Sequence, residues 1–232
     1  MNEYAQMNKN TVSANEQLTE TELVKFEYPE STGTKVMFVG NSITLHGIKD
    51  DIGWHQSHGM AASSKENDYV HIIEREVLAI DPLASFCICQ VAKWERQYKN
   101  GSEILPLYKS AREFGADIIV LRFIENCPNV NFEPEIFKSE LGILVDYLNV
   151  GERARIIVTT GFWKHPGDSV LREFAKEHNY HLVELGDLGE NDAMKAIGLF
   201  SHEGVANHPG DLGMKMIADR LANVLIPYVD RK

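Results

Sequence analysis

Short apolar segments of β-prone residues alternate with helical segments along most of this 232-residue chain. The segment at 117–123 reads Asp-Ile-Ile-Val-Leu-Arg-Phe, and its apolar run predicts a strand covered on both faces. Further strands are expected at 35–39, 85–91, 155–160 and 181–185, and helices at 68–79, 102–114, 133–148, 168–178 and 209–226. Because each parallel crossover needs a helix or a comparable connection, the alternation predicts a three-layer α/β/α sandwich with about five parallel strands.

The sequence divides into an N-terminal arm and one α/β domain. Residues 1–34 are rich in Asn, Thr, Glu and Ser and are predicted to form an N-terminal arm, while 35–232 form the α/β domain. Val24, Phe26 and Tyr28 are candidates for anchoring the arm. Residues 1–25 lack the apolar core of a signal peptide, and no apolar run approaches the roughly 20 residues of a membrane helix. The sequence therefore predicts a cytoplasmic protein that does not bind membranes.

Composition excludes several classes of partner and site. The formal net charge of -11 argues against nucleic-acid binding, which depends on Lys and Arg clusters. The 3 cysteines are too sparse for a disulfide framework or a Cys-x-x-Cys zinc site. No GxxxxGK[ST] or GxGxxG phosphate loop is present. We expect no metal and no cofactor, and the sequence is compatible with a homo-oligomer.

Polar residues with catalytic potential follow the predicted strands. Ser42 lies in the run Val-Met-Phe-Val-Gly-Asn-Ser-Ile-Thr, where the first strand gives way to a loop. Asn126 lies just past the third strand, and its amide is a neutral donor suited to an oxyanion. Pro209 pushes His208 out of helical geometry and then starts the final helix. Since parallel sheets carry reactive groups beyond the carboxyl ends of their strands, a serine nucleophile with a histidine base is indicated.

These residues resemble the sequence blocks of the SGNH (GDSL-type) hydrolases. Gly40-Asn41-Ser42-Ile43-Thr44 is similar to the first block, with Asn41 in place of the usual Asp. Asn126 is similar to the asparagine of the third block, and His208 with the following Pro and the later Gly-Met pair is similar to the last.

The resemblance implies a flavodoxin-like sandwich with strand order 2-1-3-4-5 and an esterase or acylhydrolase that needs no cofactor. Ser42 would be the nucleophile and His208 the general base, with the Ser42 backbone N–H and the Asn126 side chain as the oxyanion hole. Small acyl esters, including O-acetyl groups on a saccharide, would be the substrates. A ligand-binding protein that has lost turnover and an O-acyltransferase are the alternatives.

Two departures from the family pattern affect the expected site. The second block has no glycine after the second strand, so a backbone N–H from Ala92 or Lys93 is the expected replacement donor. The position three before His208, where the family has its acid, is Val205. Glu203 is the nearest upstream carboxylate and the first candidate to orient the imidazole. A Ser-His dyad oriented by a backbone carbonyl fits equally well, and another carboxylate is the third alternative.

The tryptophans are the candidate substrate contacts. Trp54 follows the first strand, Trp94 the second and Trp163 the fourth, which places all three near the predicted active-site edge. Ordinary packing at the rim is one interpretation, and an apolar wall or a platform for a sugar ring is the other. Asn41, beside the nucleophile, is included as a further substrate contact.

Overall fold

The computed structural model describes residues 23–229, which fold around a 6-stranded sheet. The strands are β1 (Val24–Glu27), β2 (Lys35–Gly40), β3 (Ser85–Gln90), β4 (Ile118–Arg122), β5 (Arg155–Thr159) and β6 (His181–Val183). The α-helices are α1 (Tyr69–Leu78), α2 (Ala92–Arg96), α3 (Lys109–Phe114), α4 (Pro134–Leu148), α5 (Asp168–Glu177), α6 (Glu203–Ala206) and α7 (Asp211–Leu225). The 3₁₀ segments are Asp50–Ile52, Lys65–Asn67, Tyr98–Tyr108, Leu188–Glu190, Asp192–Met194 and Ile226–Tyr228.

The sheet confirms the predicted topology and adds one strand to it. The order is β1-β3-β2-β4-β5-β6, and every neighbouring pair from β3 to β6 is parallel. These parallel strands reproduce the predicted order 2-1-3-4-5. The prediction missed β1, which pairs antiparallel with β3 and sets Phe26 opposite Cys87. Part of the predicted arm is thus an edge strand, while the arm's residues 1–22 lie outside the described residues.

Both faces of the sheet are covered, which explains why its strands are continuously apolar. Along β2, Met37 and Val39 face one apolar core and Val36 and Phe38 face the other, in the period-two alternation of a strand. Helices α4 and α5 pack into the first core, and α1 and α7 pack into the second. None of the helices within residues 23–229 is long and apolar enough to cross a bilayer.

The predicted helix at 102–114 is only half correct. A 3₁₀ segment spans Tyr98–Tyr108, and the α-helix begins at Lys109. Pro106 lacks the N–H that an α-helical interior needs. Ser102 lies inside this 3₁₀ segment, and its N–H donates to Glu140 Oε2 at 2.7 Å. Gly115 ends α3 in the left-handed conformation (φ 63°).

A third, smaller apolar cluster fastens two loops beside the sheet. Trp54, Met60 and Ala61 come from the loop after β2, and Ala196 and Val205 come from the segment before α7. Their side chains are buried against one another. The cluster therefore fixes the segment that carries His208 next to the loop that carries Ser42.

Candidate active site

Ser42 lies in a tight turn at the carboxyl end of β2. The Asn41 carbonyl accepts hydrogen bonds from the N–H groups of Thr44 and Leu45, both at 2.9 Å, which turns the chain sharply away from the sheet. The Ser42 carbonyl in turn accepts from the Met60 N–H at 2.8 Å. Half-buried Ser42 is thus held on both sides by backbone hydrogen bonds, and its own N–H has no partner among the described residues.

The turn requires a glycine immediately before Asn41. A Cβ at Gly40 would lie 1.9 Å from Thr44 Oγ1 and 2.8 Å from the Arg122 carbonyl oxygen. Thr44 cannot yield easily, because its buried hydroxyl is hydrogen-bonded to the Tyr69 hydroxyl at 2.7 Å. The Gly-Asn-Ser order therefore has a steric cause at its first position.

His208 meets the serine directly. Its Nε2 lies 2.8 Å from Ser42 Oγ, and its Nδ1 lies 2.7 Å from the Gly204 carbonyl oxygen. A carbonyl can only accept, so Nδ1 carries the proton and Nε2 of the neutral ring is the acceptor for the serine hydroxyl. This tautomer is the one that general-base catalysis requires.

The surroundings of His208 keep its ring neutral. Burial lowers the pKa of His208 to about 4, while the hydrogen bond to Gly204 works in the opposite direction. Trp163 packs edge-on against the imidazole, with ring centroids 5.3 Å apart. At neutral pH the ring is therefore unprotonated and held in one orientation.

Asn126 lies at the same cavity as the pair. Its Oδ1 accepts from Arg96 Nη2 at 2.5 Å, and its Nδ2 donates to Glu95 Oε2 at 2.9 Å. These contacts set the orientation of the amide. Because Nδ2 carries two hydrogens, one stays available beyond the bond to Glu95.

A buried polar network lies beneath Ser42. Glu95 Oε1 accepts from the Ile124 N–H at 2.7 Å and from Asn41 Nδ2 at 3.1 Å. Burial, together with the charge of Glu125, raises the pKa of Glu95. Burial would also raise the pKa of Glu125, but Arg122, 2.5 Å away, holds it below its usual range. The network ties the turn after β2 to the segment after β4.

His46, Arg96 and His202 line the cavity but were not predicted from sequence. The cavity has a volume of about 160 Å³ and is lined by Ser42, His46, Ile52, Met60, Arg96, Asn126, His202, Gly204, Val205 and His208. His202 Nδ1 accepts from the Val205 N–H at 3.3 Å, so the proton of its neutral ring lies on Nε2. That atom is buried without a partner in the described part of the chain. Burial lowers the pKa of His46 to about 4.

Comparisons with known proteins find relatives by structure alone. No family model matches the sequence, and neither does any curated protein. A lipase/acylhydrolase from Enterococcus faecalis matches with a TM-score of 0.57 at 15% identity, over 86% of this chain and 98% of that one. A putative GDSL-like lipase from Parabacteroides merdae matches with a TM-score of 0.52 at 14% identity, over 83% and 95%.

A further match is a two-domain esterase active on acetylated mannans, co-crystallised with mannopentaose. Its TM-score is 0.55 at 15% identity, over 87% of this chain and 51% of that one. The 232-residue chain therefore has the fold of the SGNH (GDSL-type) hydrolases.

In this chain the predicted nucleophile, base and amide meet at one cavity. Several of the other predicted site residues do not reach that cavity.

The partner of His208 Nδ1 is a backbone carbonyl rather than the candidate acid Glu203. Val205, three residues before His208, is buried in the third apolar cluster. Glu203 is exposed on α6, and the atom that Nδ1 contacts is the Gly204 carbonyl oxygen. Of the alternatives left open by the sequence, the geometry matches the dyad.

Ala92 does not supply an oxyanion donor in this geometry. Its N–H donates to Gln90 Oε1 at 3.1 Å, and its side chain is buried at the start of α2. The residue of α2 that reaches the cavity is Arg96.

Most of the residues expected to contact substrate are buried in the protein interior. Trp54 is buried in the third cluster, and Trp94 packs against Phe123 and Phe137 in the first core. Asn41 is buried in the network below the serine. Their positions near strand ends were predicted correctly, but their side chains point into the protein. Trp163 alone of the predicted contacts is half-buried beside His208.

The histidines of the loop after β2 do not form a metal site. No group of His, Cys, Asp or Glu side chains that could hold a metal ion occurs within residues 23–229. His58 is buried and contacts the Gly59 carbonyl, while exposed His55 pairs with Asp50 at 2.8 Å. Their contacts account for them as structural residues of the loop.

Proposed function

We propose that the protein is a serine esterase that cleaves small acyl esters through an acyl-enzyme on Ser42. The contact of 2.8 Å between Ser42 Oγ and His208 Nε2 carries this proposal. A free serine hydroxyl is a poor nucleophile at neutral pH and needs an adjacent base. The fixed tautomer of His208 supplies that base.

The reaction follows from the positions of these groups. As Ser42 Oγ bonds to the ester carbonyl carbon, its proton passes to His208 Nε2 and the carbonyl electron pair moves onto the oxygen. The Ser42 N–H and the Asn126 amide face that oxyanion. When the pair returns, the bond to the alcohol breaks and the alcohol leaves with the proton from His208. Water then repeats the sequence on the acyl-enzyme.

The size of the cavity supports a short acyl group. Its volume of about 160 Å³ is well below the roughly 300 Å³ at which cavities for drug-sized ligands begin. Ile52, Met60 and Val205 provide apolar walls beside the polar groups. Acetyl and propionyl esters fit this description, and long-chain lipids do not.

An O-acetylated saccharide is the substrate class that we favour. The support comes from the similarity to the esterase active on acetylated mannans and from half-buried Trp163, an aromatic surface beside the catalytic pair. Trp54 and Trp94 lend no support, because both are buried.

A small-ester assay tests the proposal. p-Nitrophenyl acetate should be hydrolysed by the wild type and cleaved at least about 10³-fold more slowly by Ser42→Ala, because the nucleophile is lost. Turnover should fall from acetate to hexanoate. Release of acetate from acetylated mannan or xylan tests the saccharide class. Equal turnover by wild type and Ser42→Ala would refute the esterase.

The second candidate is a ligand-binding protein that has the same fold but has lost turnover. The observation that favours it is the carbonyl partner of His208, since a neutral carbonyl stabilises an imidazolium less than a carboxylate does. A serine-directed fluorophosphonate separates the two candidates. Labelling of the wild type at Ser42 supports the enzyme, and an unreactive Ser42 in folded protein supports the binding protein.

A further inference from the structure

Arg96 is a cationic residue that lines the cavity. It lies at the end of α2, and its guanidinium reaches the cavity lined by Ser42, Asn126 and His208. Nη2 donates to Asn126 Oδ1, but Nη1 is buried and has no hydrogen-bond partner among residues 23–229.

A buried, unpartnered donor atom on the half-buried guanidinium of Arg96 is costly. Leaving such a group without an acceptor costs about 1–3 kcal/mol, and more for a charged group. Burial also lowers the pKa of Arg96, while the charge of Glu95 works against that shift. The guanidinium nevertheless stays protonated at neutral pH. A group of this kind is best satisfied by a negatively charged oxygen.

The proposed reaction produces such an oxygen beside Arg96. The ester carbonyl is neutral in the ground state and becomes an oxyanion when Ser42 attacks. A cationic donor therefore binds the transition state more strongly than the substrate, which is the condition for raising kcat. The Ala92 N–H cannot serve, because Gln90 occupies it.

Building on the proposed function, we propose that the Arg96 guanidinium is a catalytic oxyanion donor, acting with the Ser42 N–H and the Asn126 amide. In this arrangement Nη2 holds the amide in place and Nη1 binds the developing charge. Arg96 thus replaces a main-chain donor with a charged side chain.

Substitution of Arg96 measures its contribution to the transition state. Arg96→Met keeps the length and removes the charge, and it should lower kcat for p-nitrophenyl acetate by about 10²–10³ with KM changed less than about threefold. Arg96→Lys should recover part of kcat. Added guanidinium chloride at non-denaturing concentration should raise the turnover of Arg96→Ala. Arg75→Met, at an exposed helical site, is the matched control and should retain wild-type kinetics.

A double-mutant cycle separates a catalytic role from a positioning one. If Arg96 only orients the amide, Arg96→Met/Asn126→Ala loses no more kcat than Asn126→Ala alone. If Arg96 binds the oxyanion itself, the double variant is slower than either single variant. Affinity for a trifluoromethyl ketone, which forms a tetrahedral adduct, should fall in parallel with kcat/KM.

The outcomes distinguish this inference from the function on which it rests. If Ser42→Ala is as active as the wild type, the esterase proposal fails and the role of Arg96 fails with it. If Ser42→Ala is inactive but folded Arg96→Met keeps kcat within threefold, or changes KM alone, only the role of Arg96 is refuted. Thermal unfolding of each variant verifies that it is folded.

Discussion

The two sides of the proposed catalytic pair, Ser42 and His208, are built differently. Ser42 follows β2, which is hydrogen-bonded to β3 on one side and β4 on the other, and a buried polar network lies beneath it. His208 follows the short helix α6 and depends on one backbone carbonyl, the edge of Trp163 and a small apolar cluster. The nucleophile side is thus fixed by the sheet, whereas the base side is fixed by local backbone geometry. In this structure the Gly204 carbonyl, and not a carboxylate, contacts Nδ1 of the proposed base.

Among substitutions that leave Ser42, His208 and Arg96 in place, the largest effect is expected on the nucleophile side, from Gly40→Ala. The added Cβ would overlap Thr44 Oγ1 and press on the Arg122 carbonyl oxygen. We expect the free energy of unfolding to fall by about 1–3 kcal/mol or more, and turnover to fall by about 10² because Ser42 is displaced. Denaturant unfolding and the ester assay measure the two effects.

Gly142→Ala is the matched control for that substitution. Gly142 lies inside α4, and the nearest atom to its added Cβ is 4.0 Å away. Alanine there should stabilise the protein by about 0.5–1 kcal/mol without changing turnover. Wild-type stability in Gly40→Ala would show that the turn after β2 is not rigid.

Glu95→Gln tests the network below the nucleophile. An amide in place of the carboxylate sets an NH₂ group against donors from Ile124, Asn41 or Asn126. We expect a loss of about 1–3 kcal/mol in unfolding free energy, from the unsatisfied donors. Turnover should also fall, because Glu95 orients the Asn126 amide. Unchanged values in both measurements would mean that the network does not support the site.

The contrast between the sheet-fixed side of Ser42 and the backbone-fixed side of His208 explains which features could be predicted from the sequence and which could not. The five parallel strands were predicted correctly because buried parallel strands leave continuous apolar runs. Their order followed from the resemblance to the SGNH hydrolases, and the position of Ser42 followed from the end of the first apolar run. The partner of His208 Nδ1 was left open, since it depends on the backbone of the four-residue helix α6, which is too short for any periodicity. Trp94 shows a second limit: a position after a strand predicts the edge of the sheet but not the direction of the side chain. Arg96 was not predicted, because the family pattern indicates a backbone donor after β3.

The pH dependence tests the base side. The neutral form of His208 accepts the serine proton, so kcat/KM should fall as pH drops through the pKa of His208, about 4. Activity should therefore persist well below pH 6.5, the ordinary histidine value. His46→Gln is the control, because burial lowers the pKa of His46 to about 4 as well. If the acid limb belongs to His208, it stays in place in that variant, and a wild-type limb near pH 6.5 would contradict the assignment.

The smallest effect is expected from Glu203→Gln, on the base side. Glu203 is exposed, and His208 Nδ1 already contacts the Gly204 carbonyl at 2.7 Å. Exposed charges contribute little, so turnover should change by less than about twofold and the acid limb should stay in place. A loss near 10⁴-fold, the effect known when a serine protease loses its Asp partner, would instead identify Glu203 as the acid of a triad. Since Glu203 and Gly204 are adjacent, this substitution decides whether the base is oriented by a side chain or by the backbone alone.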